Sequence, residues 1–201
     1  MPLIARPMLR ACAVAALVLA ASLGVAQAQS LHAIDLQGRE VERLATAGTR
    51  VVVLIFAATD CPISNRYIPE IARLNRELAA QDVAFWWVFP NPGDPLATVQ
   101  KHVHDYSITT PVLIDSHQDL VRMASVAVTP EAAVFTVKDG TLREVYHGRI
   151  DDRYIAFGKE RPQATHHDLE EVIQATLAGR PIPQSHHGPI GCSIIPVELK
   201  P

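Results

Sequence analysis

Val51 to Asn65, reading VVVLIFAATDCPISN, decides how the rest of the chain is read. Six consecutive apolar residues, Val51 to Phe56, form a run too short and too uniformly apolar for an amphipathic helix. Its β-branched content suits a strand buried on both faces at the centre of an α/β sheet. After a turn of small residues, Ile68, Ile71, Leu74 and Leu78 recur at intervals of three and four, so a helix follows to about Ala80, with Pro62 in its first turn. Cys61 stands at the junction. There it meets unpaired backbone N–H groups and the positive end of the helix dipole, both of which favour thiolate over thiol. A small buried hydrophobe is the alternative reading of such a cysteine.

Outward from this stretch, the chain alternates strands and helices. Leu31 to Leu36 reads as a short edge strand closed by Gln37-Gly38. Val83 to Phe89 (VAFWWVF) is a second buried strand in which Trp86 and Trp87 serve the core and sheet face, and Pro90 to Pro95 breaks it. Asp94 ahead of Pro95 is positioned to cap a helix over Leu96 to Tyr106. Pro111 to Ile114 is a short strand, and a helix follows from about Gln118 to Ala124. Ala132 to Val137 and Leu142 to Tyr146 form a hairpin through Lys138-Asp139-Gly140-Thr141. The polar loop from Gly148 to Ala164 leads to a last amphipathic helix, opened by Thr165 or Asp168 and stopped at Gly179. Parallel units followed by an antiparallel hairpin give an α/β fold with a mixed central sheet and helices on both faces.

The first 28 residues have the form of a secretory leader: Arg6 and Arg10, an apolar run from Ala11 to Val25, then Ala26-Gln27-Ala28 as a small-x-small cleavage site. This predicts cleavage after Ala28, a periplasmic or secreted product, one domain over 29–179, and a proline-rich tail over 180–201. Cleavage of 28 from 201 residues leaves 173, enough for one domain with a sizeable core. Two of the 18 basic residues leave with the leader, so 21 acidic against 16 basic residues give a charge of −5, which argues against nucleic acid and anionic membrane as partners. Of three cysteines, Cys12 lies in the leader, which leaves Cys61 and Cys192 in a compartment where disulfides persist. A bond between them is either a redox pair or a permanent staple.

Phe56-Ala57-Ala58-Thr59-Asp60-Cys61 after a buried strand, the helix that Cys61 opens, and Val128-Thr129-Pro130 before a later strand together resemble the thioredoxin superfamily. The likeness is to its redoxin branch, the exported thioredoxin-like and thiol-specific-antioxidant-like proteins. Segments Gly148 to Tyr154 and Gly191 to Ile194 fit the same branch, so the likeness spans about Leu31 to Ile194. It implies a thioredoxin-like sheet, a cis bond between Thr129 and Pro130 beside the reactive sulfur, and thiol-disulfide oxidoreductase activity. Cys61 is then the nucleophile and Cys192 the resolving thiol, with a thiol or disulfide protein as partner and no cofactor.

The departures are informative. Ser64 stands where thioredoxins carry their second cysteine, which leaves it to donate to the sulfur or to cap the helix. Ile55 replaces their buried acid. Peroxiredoxins place a proline and a threonine where Leu54 and Ala58 stand, which argues against a thiol peroxidase acting on peroxide and leaves it as the alternative reading. A Sco-like copper-binding accessory protein, using Cys61 with His186 and His187, is a further one, although Asn65 stands where that family has its second cysteine. His166-His167 and the cluster Asp151-Asp152-Arg153 read as structural, and Glu131 is placed to contact the sulfur or a bound substrate. No metal is expected.

Overall fold

The computed structural model describes residues 31–185 and 187–197. Five strands form the central sheet in the order β3-β2-β1-β5-β6. β1 (Val51–Phe56) lies between β2 (Val83–Phe89), parallel to it, and β5 (Glu131–Lys138), antiparallel; β3 (Val112–Ile114) extends the parallel side and β6 (Thr141–Gly148) the antiparallel side. All six residues of β1 are buried, as a central strand covered on both faces requires. Its side chains alternate between two cores: Val51, Val53 and Ile55 join Phe85, Trp87 and Phe89 on one face, while Val52, Leu54 and Phe56 join Val88, Leu113 and Phe135 on the other.

Helices cover both faces. Ile71, Leu74 and Leu78 of α1 (Pro62–Leu78), Val99 of α2 (Leu96–Asp105), and Leu169, Val172 and Ile173 of α4 (Asp168–Leu177) belong to the first core. Leu120 and Ala124 of α3 (Asp119–Ala124) belong to the second. The mixed sheet flanked by helices is the thioredoxin-like arrangement expected from the sequence. The β5–β6 hairpin turns through Asp139 (φ 52°) and Gly140 (φ 76°), the left-handed pair that an Asp-Gly turn supplies. Gly179 (φ 63°) follows the end of α4. Among the described residues no helix is long and apolar enough to cross a membrane.

Four local expectations are corrected. Leu31 to Leu36 is not a strand. Asp35 takes the backbone N–H groups of Gln37 (2.8 Å) and Arg39 (3.0 Å) into its carboxylate, folding the segment back and leaving only bridges from Ile34 to Glu40 and Ile114. Asp94 does not cap α2; Pro95 is the N-cap, without a side-chain bond, and Asp94 turns toward the loop before Cys61. The loop after β6 contains a small hairpin of β7 (Tyr154–Ala156) and β8 (Lys159–Glu160). The tail forms a strand, β9 (Cys192–Ser193), antiparallel to β4 (Val128–Thr129).

The N-terminus of α3 is held by Asp115, fully buried, whose carboxylate accepts the amides of Asp119 (2.9 Å), Leu120 (3.0 Å) and Val121 (3.1 Å). Replacing an N-terminal acceptor with alanine typically costs about 1 kcal/mol, and three stranded amides raise the figure. Asp115→Ala is therefore expected to lower stability in urea denaturation by about 2 kcal/mol. A loss below about 0.5 kcal/mol would contradict this role.

Candidate functional site

β1 ends at Phe56, and the turn Ala57 to Asp60 carries the backbone to Cys61, whose carbonyl accepts the Asn65 amide at 3.1 Å in the first turn of α1. Opposite lies the loop between β4 and β5, where the Thr129–Pro130 peptide bond is cis. The Cys61 thiol donates to the Thr129 carbonyl at 3.1 Å. From the other side the tail brings Cys192 over the same atom, with the Cys192 thiol donating to the Cys61 sulfur at 2.7 Å. Both cysteines are free thiols. Five residues singled out from the sequence, Cys61, Ser64, Thr129, Pro130 and Cys192, thus belong to one junction of three segments.

The two sulfurs differ in kind. Cys61 is fully buried, and burial pushes its thiol up; the Cys192 donor, the Ser64 hydroxyl and backbone N–H, and Thr129 outweigh that and leave it below the ordinary thiol value. The Ser64 hydroxyl is itself buried and has no hydrogen-bond partner among the described residues, so it is free to turn toward the sulfur and donate. The Thr129 carbonyl acts in the opposite sense, accepting from the protonated thiol. Cys192, partly exposed, is pushed well up, first by burial, then by its bond to Cys61 and by the negative charge of Cys61 and Asp60. Of the two thiols, Cys61 is therefore the one that gives up its proton first, while Cys192 holds its own.

A depressed folded value makes the Cys61 contribution to stability fully present above the ordinary thiol value of 9.0 and lost as pH falls through the folded value. The raised value of Cys192 makes its contribution fully present below 9.0 and lost as pH rises through its folded value. The pair's contribution in the reduced protein is thus expected to peak near the ordinary thiol value and to decline on both sides. Urea denaturation across pH, with and without Cys192→Ser, checks this; a profile that the substitution leaves unchanged would contradict it.

The active loop is braced by groups that sequence reasoning placed elsewhere or missed. Asp94 is buried and accepts the Thr59 amide at 3.1 Å and, at shorter range, the Thr59 hydroxyl, while burial holds its carboxyl above the usual range. Asn65 donates to the Thr59 carbonyl (3.4 Å) and to the Tyr106 hydroxyl (3.3 Å). Glu131 was expected near the sulfur or a substrate; its buried carboxylate accepts the amides of Ala127 (3.0 Å) and Val128 (3.4 Å) and pairs with His147, bracing the cis-proline loop. Asp151 accepts the Tyr67 hydroxyl at 2.5 Å, and Asp152 accepts Thr165 Oγ1 at 2.5 Å and the amides of Thr165 and His166, so this pair ties the loop after β6 to α1 and to the segment that leads into α4.

Of the histidines proposed for copper, His186 lies outside the described residues, and the His187 carbonyl accepts from Ser185. Among the described residues, Glu70, His167 and Glu170 come close enough to share an ion, but Arg73 already supplies the cation there, at 2.6 Å from both carboxylates.

Against this geometry, residues 25–146 match the AhpC/TSA family profile. The chain belongs to the AhpC/TSA family. Of curated proteins, the thiol-disulfide oxidoreductase ResA of Halalkalibacterium halodurans is similar at 26% identity over 121 residues, 60% of this chain and 66% of that protein, just under two thirds of its length. Among solved structures, an uncharacterized conserved protein from Geobacillus kaustophilus superposes with a TM-score of 0.67 at 23% identity, covering 85% of this chain and 89% of that one. A hypothetical protein from Sinorhizobium meliloti 1021 gives 0.66 at 24% identity, covering 80% and 87%. An uncharacterized thioredoxin-like protein from Porphyromonas gingivalis gives 0.51 at 21%, covering 79% and 95%. These structural likenesses establish the fold of this AhpC/TSA chain, and the sulfur chemistry is argued from its own residues.

Proposed function

We propose that the chain is an exported thiol-disulfide oxidoreductase in which Cys61 is the attacking sulfur and Cys192 the resolving thiol. The observation that carries this reading is the sulfur pair: 2.7 Å apart, one shifted toward thiolate and the other toward thiol. Exchange needs a thiolate to attack, and then a second thiol near enough to finish the reaction without an outside reductant. The Cys61 thiolate attacks one sulfur of a partner disulfide, forming a mixed disulfide and expelling the partner's other sulfur as a thiolate. Cys192 then loses its proton and attacks Cys61, releasing the partner's second sulfur. A Cys61–Cys192 disulfide remains, and two electrons have passed to the partner. Run backwards, the same steps oxidise a partner dithiol.

Ser64 and the α1 N-terminus favour the thiolate, and Thr129-Pro130 forms the wall facing it. Residues 1–28 are the export leader, 29–179 the catalytic domain and 180–201 the tail that delivers Cys192. The export reading rests on the leader pattern, which lies outside the described residues. The partner is a protein thiol or disulfide.

Reduction of a peptide disulfide by the mature protein, with dithiothreitol recycling it, tests the proposal. Turnover lost in Cys61→Ser is the expected result. Inertness toward disulfides together with rapid peroxide consumption would instead identify a thiol peroxidase.

A further inference from the structure

Cys61 has no exposed surface, and the tail lies across it with the Cys192 sulfur against its own. A disulfide that Cys61 attacks must approach with its leaving sulfur in line behind the attacked one, so an outside partner reaches Cys61 only where the tail now sits. The tail's seat is built in two ways. Some groups hold its backbone: the Ile194 amide donates to the Ala127 carbonyl (3.0 Å) and the Ile195 amide to Asn91 Oδ1 (3.0 Å). Buried Gln118 donates to the Ile195 carbonyl (2.7 Å) and accepts the Val197 amide (3.1 Å). These contacts would hold any extended polypeptide.

Two positions, by contrast, depend on the side chain. A Cβ on Gly191 would lie 2.2 Å from the Thr129 carbonyl oxygen and 2.7 Å from its carbon, so only glycine fits before the cysteine. Ile194, two residues after the cysteine, is 8% exposed within the apolar cluster that holds Leu120, Ala124 and Val126. Its neighbours Ser193 and Ile195 are exposed, the latter by 58%, so the seat takes no account of them.

Building on the exchange reading above, we propose that the seat held by Gly191 to Ile194 receives an extended cysteine-bearing segment of the partner polypeptide, with the tail as its internal template. The preferred partner carries a glycine immediately before its cysteine and an aliphatic residue two positions after it. As the segment enters antiparallel to β4, the Cys61 thiolate attacks the segment's cysteine sulfur. A Cys61–cysteine disulfide forms, the bond to the former partner sulfur breaks, and that sulfur leaves as a thiolate that takes a proton from water.

The test uses the full mature chain carrying Gly191→Ala and Cys192→Ser, which empties the seat and removes the competing thiol. Its probes are synthetic peptides whose cysteine is activated as a 2-pyridyl disulfide. A peptide with glycine-cysteine-serine-isoleucine is expected to be captured about tenfold or more faster than one with valine before the cysteine or glutamate in place of isoleucine. Exchanging the serine should change the rate less than about twofold. Gln118→Ala with Cys192→Ser loosens the tail by a separate route and should give the same ranking, should the first variant fail to fold. Equal rates across the peptides, with Cys61 still reacting with 2-pyridyl-activated cysteamine, would overturn the selectivity and leave the exchange reading intact. Failure of Cys61 to react with either would overturn both.

Discussion

Gly191→Ala should weaken the Cys61–Cys192 bond by a factor of about 100 to 1,000 in its equilibrium constant with glutathione, from about 3 to 4 kcal/mol of lost tail contacts. The residue's φ is outside the left-handed region, so alanine there is not strained by its own backbone; the cost comes from collision. The atoms struck are main-chain atoms of Thr129 and Pro130, which cannot rotate away as the end of a side chain would. The tail must therefore lift, losing the β4–β9 pairing, the Ile194 seat and the Gln118 clamp together. In the reduced variant Cys61 becomes accessible and its alkylation should accelerate. An equilibrium constant within about twofold of the parent, with Cys61 still protected, would mean that the tail does not hold Cys192 in place.

The second large effect separates the two cysteines. Cys61→Ser removes the attacking sulfur and should abolish disulfide reduction outright. Cys192→Ser keeps the first half of the reaction, so the protein should accumulate as a mixed disulfide on Cys61, visible by mass spectrometry as the added mass of the partner. Resolution would then depend on outside thiol at millimolar concentration in place of one tethered on the same chain, and turnover should fall by at least about 100-fold. If both variants lost activity equally with no mixed disulfide in either, Cys192 would be a staple and not a resolving thiol.

What was legible in the sequence follows the range of the interactions. The buried run Val51 to Phe56, the helix after Cys61, the Asp139-Gly140 turn and the stop at Gly179 are set by residues close together along the chain, and the structure has each of them. The tail was not legible in the same way. β9 is two residues long and has no periodicity of its own; it exists because Gly191 permits contact with Thr129, and because Gln118 and Asn91, far away in sequence, hydrogen-bond the tail backbone just beyond it. Asp94 had the local signature of a helix cap, yet Thr59, 35 residues earlier, offers it both an amide and a hydroxyl. Asp35 misled for the reverse reason, since a local side-chain bond to the backbone overrode a weak strand pattern. The cysteine pair needed no structure to be suspected, because two thiols remain once the leader is set aside. That they meet beside the cis-proline loop is a product of the fold.

The most direct measurement is a redox titration of the mature protein in glutathione buffers, with thiol trapping and mass spectrometry at each potential. A single reversible two-electron step that joins and parts Cys61 and Cys192 is the expected result. Cysteines that never pair at any potential, or a bond that never opens, would contradict a catalytic cycle between these two sulfurs.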